Sequence, residues 1–164
     1  MSVLRTVNPK TGKQEKNMTE RKAVHADLKI LSKTFHLLVS EIEETLPSIK
    51  VSAYEPESVI LKEGEPGTNV YVVIKGGLSV CQSRWIFLSK EVAHLGPGDL
   101  FGEISYLVPT AKRSASIVAK SACEVAHIAS SDFKKLLDRH EELRTRIEEM
   151  ARRRLYSLSE AGHS

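Results

Sequence analysis

Between Lys50 and Ala129 the apolar residues come in runs too short for helices, with turn signals between them. The runs are Lys50–Tyr54, Val59–Lys62, Val70–Lys75, Leu78–Gln82, Glu91–Leu95, Ser114–Ala119 and Cys123–Ala129. Glu65-Pro66-Gly67, Gly76-Gly77 and Gly96-Pro97-Gly98 punctuate them. Proline fixes φ and glycine accepts positive φ, so such clusters reverse a chain that other residues would continue. Short β-branched runs bounded by these clusters read as strands. Many such strands at close spacing constrain the chain to a barrel or jelly roll, whose closure hides strand edges.

Outside this region the rhythm changes to three and four. Val24, Leu28, Leu31, Phe35, Leu38 and Ile42 predict one helix from Glu20 to Leu46, with Thr19 as its N-cap and Pro47 as its stop. Lys22 stands where a capping box needs Glu or Gln. After the strands, Ser131 or Asp132 can cap a helix whose first face is Phe133, Leu136 and Leu137. A second helix is expected from Glu141 to Ser159, with Leu143, Ile147, Met150 and Leu158 on one stripe and Arg154 set into it. Residues 1–18 hold Pro9, Gly12 and many polar groups and read as a flexible tail. The expected class is α+β: one domain over 19–164, with a helical segment at 19–47, an antiparallel β-roll at 48–130 and C-terminal helices at 131–160.

Composition narrows the function classes. With 164 residues the chain suits one domain, and 41% hydrophobic with 27% charged residues is globular. No apolar run approaches the ~20 residues of a membrane span, and the N-terminus lacks the apolar segment of a secretory signal. Cys81 and Cys123 lack metal spacing and fit a reduced, cytoplasmic setting. A net charge of +3 is too small to argue for nucleic acid.

The chemistry concentrates in Phe101–Ala119, FGEISYLVPTAKRSASIVA. Gly102 and Glu103 open a short helical pattern, expected at about Glu103–Leu107. Its first N–H groups have no intrahelical acceptor and suit an anion. Arg113 can fork two hydrogen bonds onto phosphate oxygens. Glu103 only accepts, so it suits a sugar hydroxyl and repels a phosphate. Taken singly, Arg113 could be a solvated loop residue and Glu103 a first-turn carboxylate favoured by the helix dipole.

In order and spacing this segment resembles the phosphate-binding cassette of the cyclic-nucleotide-binding domain family. RSASIVAKSACEVAHIASSDFKKLL is similar to the following part of bacterial catabolite activator proteins, and VILKEGEPGTNVYVVIKGGLSV to the family's first β-roll strands. The resemblance covers about residues 42 to 160 and implies a β-roll with an N-terminal helix, a cassette helix and C-terminal helices. It implies that Glu103 accepts from a ribose 2′-OH and that the N–H groups of Glu103, Ile104 and Ser105 face a cyclic phosphate. Arg113 would neutralise that phosphate and Ser114 would touch it. Val80, Val92 and Leu95 would wall the base. One departure is Lys112, where the family often has Pro. The implied ligand is a cyclic purine mononucleotide, cAMP ahead of cGMP.

In the catabolite activators a long terminal helix dimerises and supplies a polar contact to the base. MARRRLYSLSEAG resembles it, with Ser157 and Ser159 as candidate contacts and Tyr156 as a candidate stacking cap. On an ideal helix Tyr156 lies opposite the apolar stripe and Ser157 at its edge, so Ser157 is preferred. The stripe is either packing onto the β-roll or a dimer seam. The activators continue into a DNA-binding helix-turn-helix, and none fits before Ser164, so DNA binding by this chain alone is not expected. Output would then pass through a homodimer or a partner protein. The N-terminal helix is one candidate surface for a partner. Trp85-Ile86-Phe87-Leu88 is another, if it is an exposed tip rather than a buried strand.

An enzyme is not expected. His25, His36, His94, His127, His140 and His163 show no metal-ligand spacing, and no nucleophile elbow or P-loop appears. Two alternatives stand: a scaffold with a degenerate pocket, or the sensor half of a truncated transcription regulator.

Overall fold

The computed structural model describes residues 3–4, 18–85, 88–108 and 112–161. Strands β1 (Val3–Leu4) and β2 (Met18–Lys22) precede helices α1 (His25–Phe35) and α2 (Val39–Thr45). Then come β3 (Lys50–Tyr54), β4 (Val59–Leu61), β5 (Val70–Lys75), β6 (Leu78–Trp85), β7 (Leu88–Leu95) and β8 (Leu100–Phe101). The one-turn helix α3 (Ile104–Leu107), β9 (Ser116–Ala119), β10 (Cys123–Ile128), α4 (Ser130–Arg139) and α5 (Glu141–Ala161) complete the chain.

The strands form two antiparallel sheets, ordered β1-β2-β3-β10-β5-β8 and β4-β9-β6-β7. The larger sheet lies in the middle. One face packs on the smaller sheet through Tyr71, Val73, Leu78, Ile117 and Val125. The other packs on the helices, where Val70, Val72 and Ala126 meet Leu31, Phe35, Phe133, Leu136 and Ile147. Two buried faces explain the unbroken apolar run of β5: alternation disappears when neither side of a strand meets water. The result is the antiparallel β-roll with flanking helices that the sequence predicts. No helix among the described residues is long and apolar enough to cross a membrane.

The N-terminal segment departs from expectation. Residues 20–22 are strand, not helix: Glu20, Arg21 and Lys22 pair with Ser52, Val51 and Lys50. Helix α1 starts later, after Val24, whose N–H donates to Asp27 Oδ2 at 2.7 Å. Burial alone would raise the Asp27 carboxyl, but hydrogen bonds from Arg21 and Val24 hold it below its usual range. Asp27, not Thr19, therefore closes the helix N-terminus. Helix α1 ends at His36 in the left-handed conformation, and the Leu38 N–H donates to Glu41 Oε2 at 2.7 Å to start α2. Leu38, which periodicity sets in the apolar stripe, is 69% exposed at this break. Nor does the expected tail hold throughout, since Val3 and Leu4 pair with Thr19 and Met18.

Further along, the differences are smaller. Helix α4 begins at Ser130 after Ala129, with no side-chain cap from Ser131 or Asp132. The β6–β7 ladder runs to a Trp85–Leu88 pair, three residues further on each strand than predicted. Leu88 is exposed there, and Ile86 and Phe87 lie outside the described residues. Of the α5 stripe, Leu143 and Ile147 are buried in the helical core, Met150 packs against it, and Leu158 lies apart from it.

Candidate functional site

β8 is a two-residue strand that pairs Phe101 with Tyr71 of β5, and the two rings stack at 5.0 Å. This fixes where the chain leaves the sheet. Gly102 follows at φ 85°, where a Cβ would lie 2.8 Å from the Asn69 carbonyl and 3.1 Å from Arg113 Nη1. Only glycine fits that turn. Glu103 then caps α3, whose first N–H groups have no acceptor within so short a helix.

Arg113 approaches the same point from the opposite strand connection. Its backbone N–H donates to the Glu65 carbonyl at 2.8 Å, and its carbonyl accepts from the Gly64 N–H at 2.9 Å. The side chain is only 8% exposed. Nη1 donates to Ser105 Oγ at 3.1 Å and to the Gly102 carbonyl at 3.3 Å, and Nη2 donates to the Asn69 carbonyl at 3.0 Å. The guanidinium lies 5.9 Å from the centre of the Tyr71 ring. At Gly67 an added Cβ would come within 2.9 Å of Arg113 Nη2, so the β4–β5 loop also closes on the guanidinium. All the acceptors of these bonds are neutral, and burial pushes the Arg113 pKa below its ordinary value. Among the described residues, this desolvated cation is held in a fixed orientation with no carboxylate bonded to it. An anion is the natural complement of that arrangement.

Glu103 does have a cation. It is 2% exposed, and Arg154 Nη1 of α5 donates to its Oε1 at 2.7 Å. The same Arg154 nitrogen donates to the Leu100 carbonyl. The terminal helix is thus fastened to both ends of the Leu100–Glu103 turn. From the sequence, Arg154 in the stripe could serve a partner carboxylate or the ligand. Its spacing from Ile147 and Met150 points inward, but nothing local to α5 names Glu103, which is 51 residues away.

These groups open onto one cavity of about 180 Å³. Its wall is apolar, from Val80, Val92 and Leu95, joined by Leu61 and Ile117. Gly102, Glu103, Ile104, Ser105, Arg113 and Ser114 form the polar end, with exposed Lys112 beside it. Helix α5 adds Arg154, Ser157 and Leu158. All ten residues expected at the site line this cavity. Tyr156 does not, being 67% exposed, and Ser159 does not either, its Oγ donating to the Tyr156 carbonyl at 2.7 Å. Leu61, Gly67, Asn69 and Tyr71 were missed, as was the pairing of Arg154 with Glu103. Tyr71 and Leu61 read as ordinary strand residues, and Asn69 acts only through its carbonyl, which no side-chain pattern reports.

The family model of the cyclic nucleotide-binding domain matches residues 51–140, more than half of the chain. The chain belongs to that family. It is 29% identical over 119 residues to the cAMP-activated global transcriptional regulator CRP of Salmonella typhimurium, across 73% of this chain and 57% of that protein. It is 33% identical over 113 residues to the cAMP-dependent protein kinase regulatory subunit of Colletotrichum orbiculare, across 63% of this chain and 28% of that one. Among solved structures, the catabolite activator protein of Thermus thermophilus superposes with a TM-score of 0.66 at 28% identity, covering 77% of this chain and 59% of that one. The chain thus spans little more than half the length of the first of these relatives and under a third of the second.

Proposed function

We propose that this chain is a sensor without catalytic activity that binds a 3′,5′-cyclic purine mononucleotide, with cAMP as its first ligand. The observation that carries this reading is the buried Arg113, held among the described residues by neutral oxygens and lining the same cavity as the first residues of α3. A cyclic phosphate carries one negative charge and two exocyclic oxygens. It would meet the fork of Arg113, the N–H groups of Glu103 to Ser105, and Ser114. Glu103 would accept from the 2′-OH while Arg154 offsets its charge. The base would lie along Val80, Val92 and Leu95, with Ser157 at the α5 side. The names of the relatives, two of them cAMP-responsive, support cAMP as the first choice.

Thermal unfolding tests the proposal. At about 100 times its dissociation constant, cAMP should stabilise the fold by roughly 2.7 kcal/mol. 2′-Deoxy-cAMP should do less at the same concentration, because Glu103 loses its donor. No shift with cAMP, cGMP or a cyclic dinucleotide would instead support a scaffold with a degenerate pocket.

For the output we propose a homodimer through the outer face of α5. Leu155 and Tyr156 are exposed there, while the inner stripe is used in the core. Sedimentation with and without cAMP should give a dimer for the native chain and a monomer for Tyr156→Asp. Equal monomer values for both would redirect attention to the exposed Leu88 end of the β6–β7 hairpin.

A further inference from the structure

A second cavity, of about 170 Å³, lies between α1, the Gly98–Leu100 turn and α5. Thr34 Oγ1 donates to the Gly98 carbonyl at 2.7 Å and so ties α1 to that turn. On α5, Arg146, Met150, Arg153 and Arg154 follow steps of three and four, which sets their side chains along one face. All four line the cavity. Arg154 also lines the cavity described above, and among the described residues no other side chain belongs to both.

The three guanidinium groups have few partners. Arg146 Nη2 donates to the Phe35 carbonyl and Nη1 to His36 Nδ1, each at 2.9 Å. Neither acceptor carries negative charge. Arg153 is exposed and makes no hydrogen bond or ion pair among the described residues. Arg154 spends Nη1 on Glu103 and the Leu100 carbonyl, and its other N–H groups meet no acceptor among the described residues. Asp99 is the carboxylate of this lining, and its Oδ2 accepts from the Gly96 N–H at 2.8 Å rather than from an arginine. Arg146 and Arg153 therefore share a concave site without a carboxylate bonded to either.

Like charges gathered in a concave wall repel, and an anion between them removes that cost. Each guanidinium presents parallel N–H donors that match phosphate oxygens. A phosphate monoester carries a charge of about −1.5 to −2 at pH 7, which suits two cations better than the single charge of a carboxylate does. Leu100 and Ile147 give the cavity an apolar floor that a short carbon skeleton can cover. We propose that this cavity is a second anion site, which takes the phosphate group of a small phosphate monoester between Arg146 and Arg153. The remaining N–H groups of Arg154 complete it. The site does not depend on the nucleotide reading above.

Calorimetric titration with inorganic phosphate, glycerol 3-phosphate and acetate tests this. The background is Arg113→Ala, so that phosphate held by Arg113 is not counted. Both phosphates should bind with dissociation constants of about 1 mM or tighter, and acetate at least about tenfold more weakly. Adding Arg153→Ala should weaken both phosphates at least about tenfold, the loss of one charge-assisted hydrogen bond. Because Arg153 is exposed, its removal should leave thermal unfolding without phosphate unchanged. Arg146→Lys keeps the charge but loses the fork and should also weaken phosphate. In the otherwise native chain, Arg153→Ala should remove the same site. Phosphate binding that Arg153→Ala leaves unchanged, acetate binding as tightly as phosphate, or no phosphate binding once Arg113 is replaced would each overturn the proposal. The last result would place the ion at Arg113 and leave the nucleotide reading standing.

Discussion

Arg113→Ala should lower the affinity for cAMP by about 100-fold or more, measured by calorimetry on the purified chain. Two charge-assisted hydrogen bonds at roughly 1.5–3 kcal/mol each reach that figure even if part is regained by water entering the gap. The orientation of the guanidinium adds to the effect. Ser105 Oγ, the Asn69 carbonyl and the Tyr71 face already fix it, so a phosphate meets donors that need little reordering. Arg113→Lys keeps the charge but loses the fork and should recover only part of the affinity. Without nucleotide, Arg113→Ala should leave stability within about 1 kcal/mol, because it also removes a desolvated charge that no carboxylate neutralises. An unfolded variant would reveal a structural residue, and an unchanged affinity would show that the phosphate does not sit here.

Arg154→Ala is the second large effect, and it acts on stability. Glu103 is almost fully buried, and Arg154 is the cation that bonds to it. Removing that cation leaves a desolvated carboxylate, at a cost of about 3 kcal/mol in urea denaturation, the lower end for a buried pair since Arg154 is partly exposed. The variant also frees α5 from the Leu100 carbonyl. Adding Glu103→Gln to Arg154→Ala should restore most of the loss, because a neutral amide tolerates burial better than a charge. A single variant within about 0.5 kcal/mol of the native chain would mean that the pair is solvated and that α5 is not fastened to the cavity through it.

Much of this was legible in the sequence, for identifiable reasons. The strands β3 and β5 were found at their ends because Gly/Pro clusters and apolar runs are local signals. The Gly102-Glu103 pair and Arg113 were found because the cassette keeps them within a dozen residues. The single N-terminal helix failed because periodicity cannot see that Arg21 has Asp27 and Glu124 as partners and joins a strand ladder. The six-residue step from Arg21 to Asp27 makes an ion pair that a continuous helix would separate. Arg154 failed for the opposite reason: its place on α5 was read correctly, but its partner belongs to another element. Asn69 and Gly67 serve through a carbonyl and through missing bulk, and sequence patterns carry little trace of either.

The most direct measurement is a crystal structure of the chain with cAMP. The nucleotide is expected in the cavity between α3, β7 and α5. Its phosphate oxygens should lie about 2.8 Å from the Arg113 guanidinium and its 2′-OH within hydrogen-bond distance of Glu103. Density for cAMP elsewhere, or a phosphate turned away from Arg113 toward solvent, would contradict it.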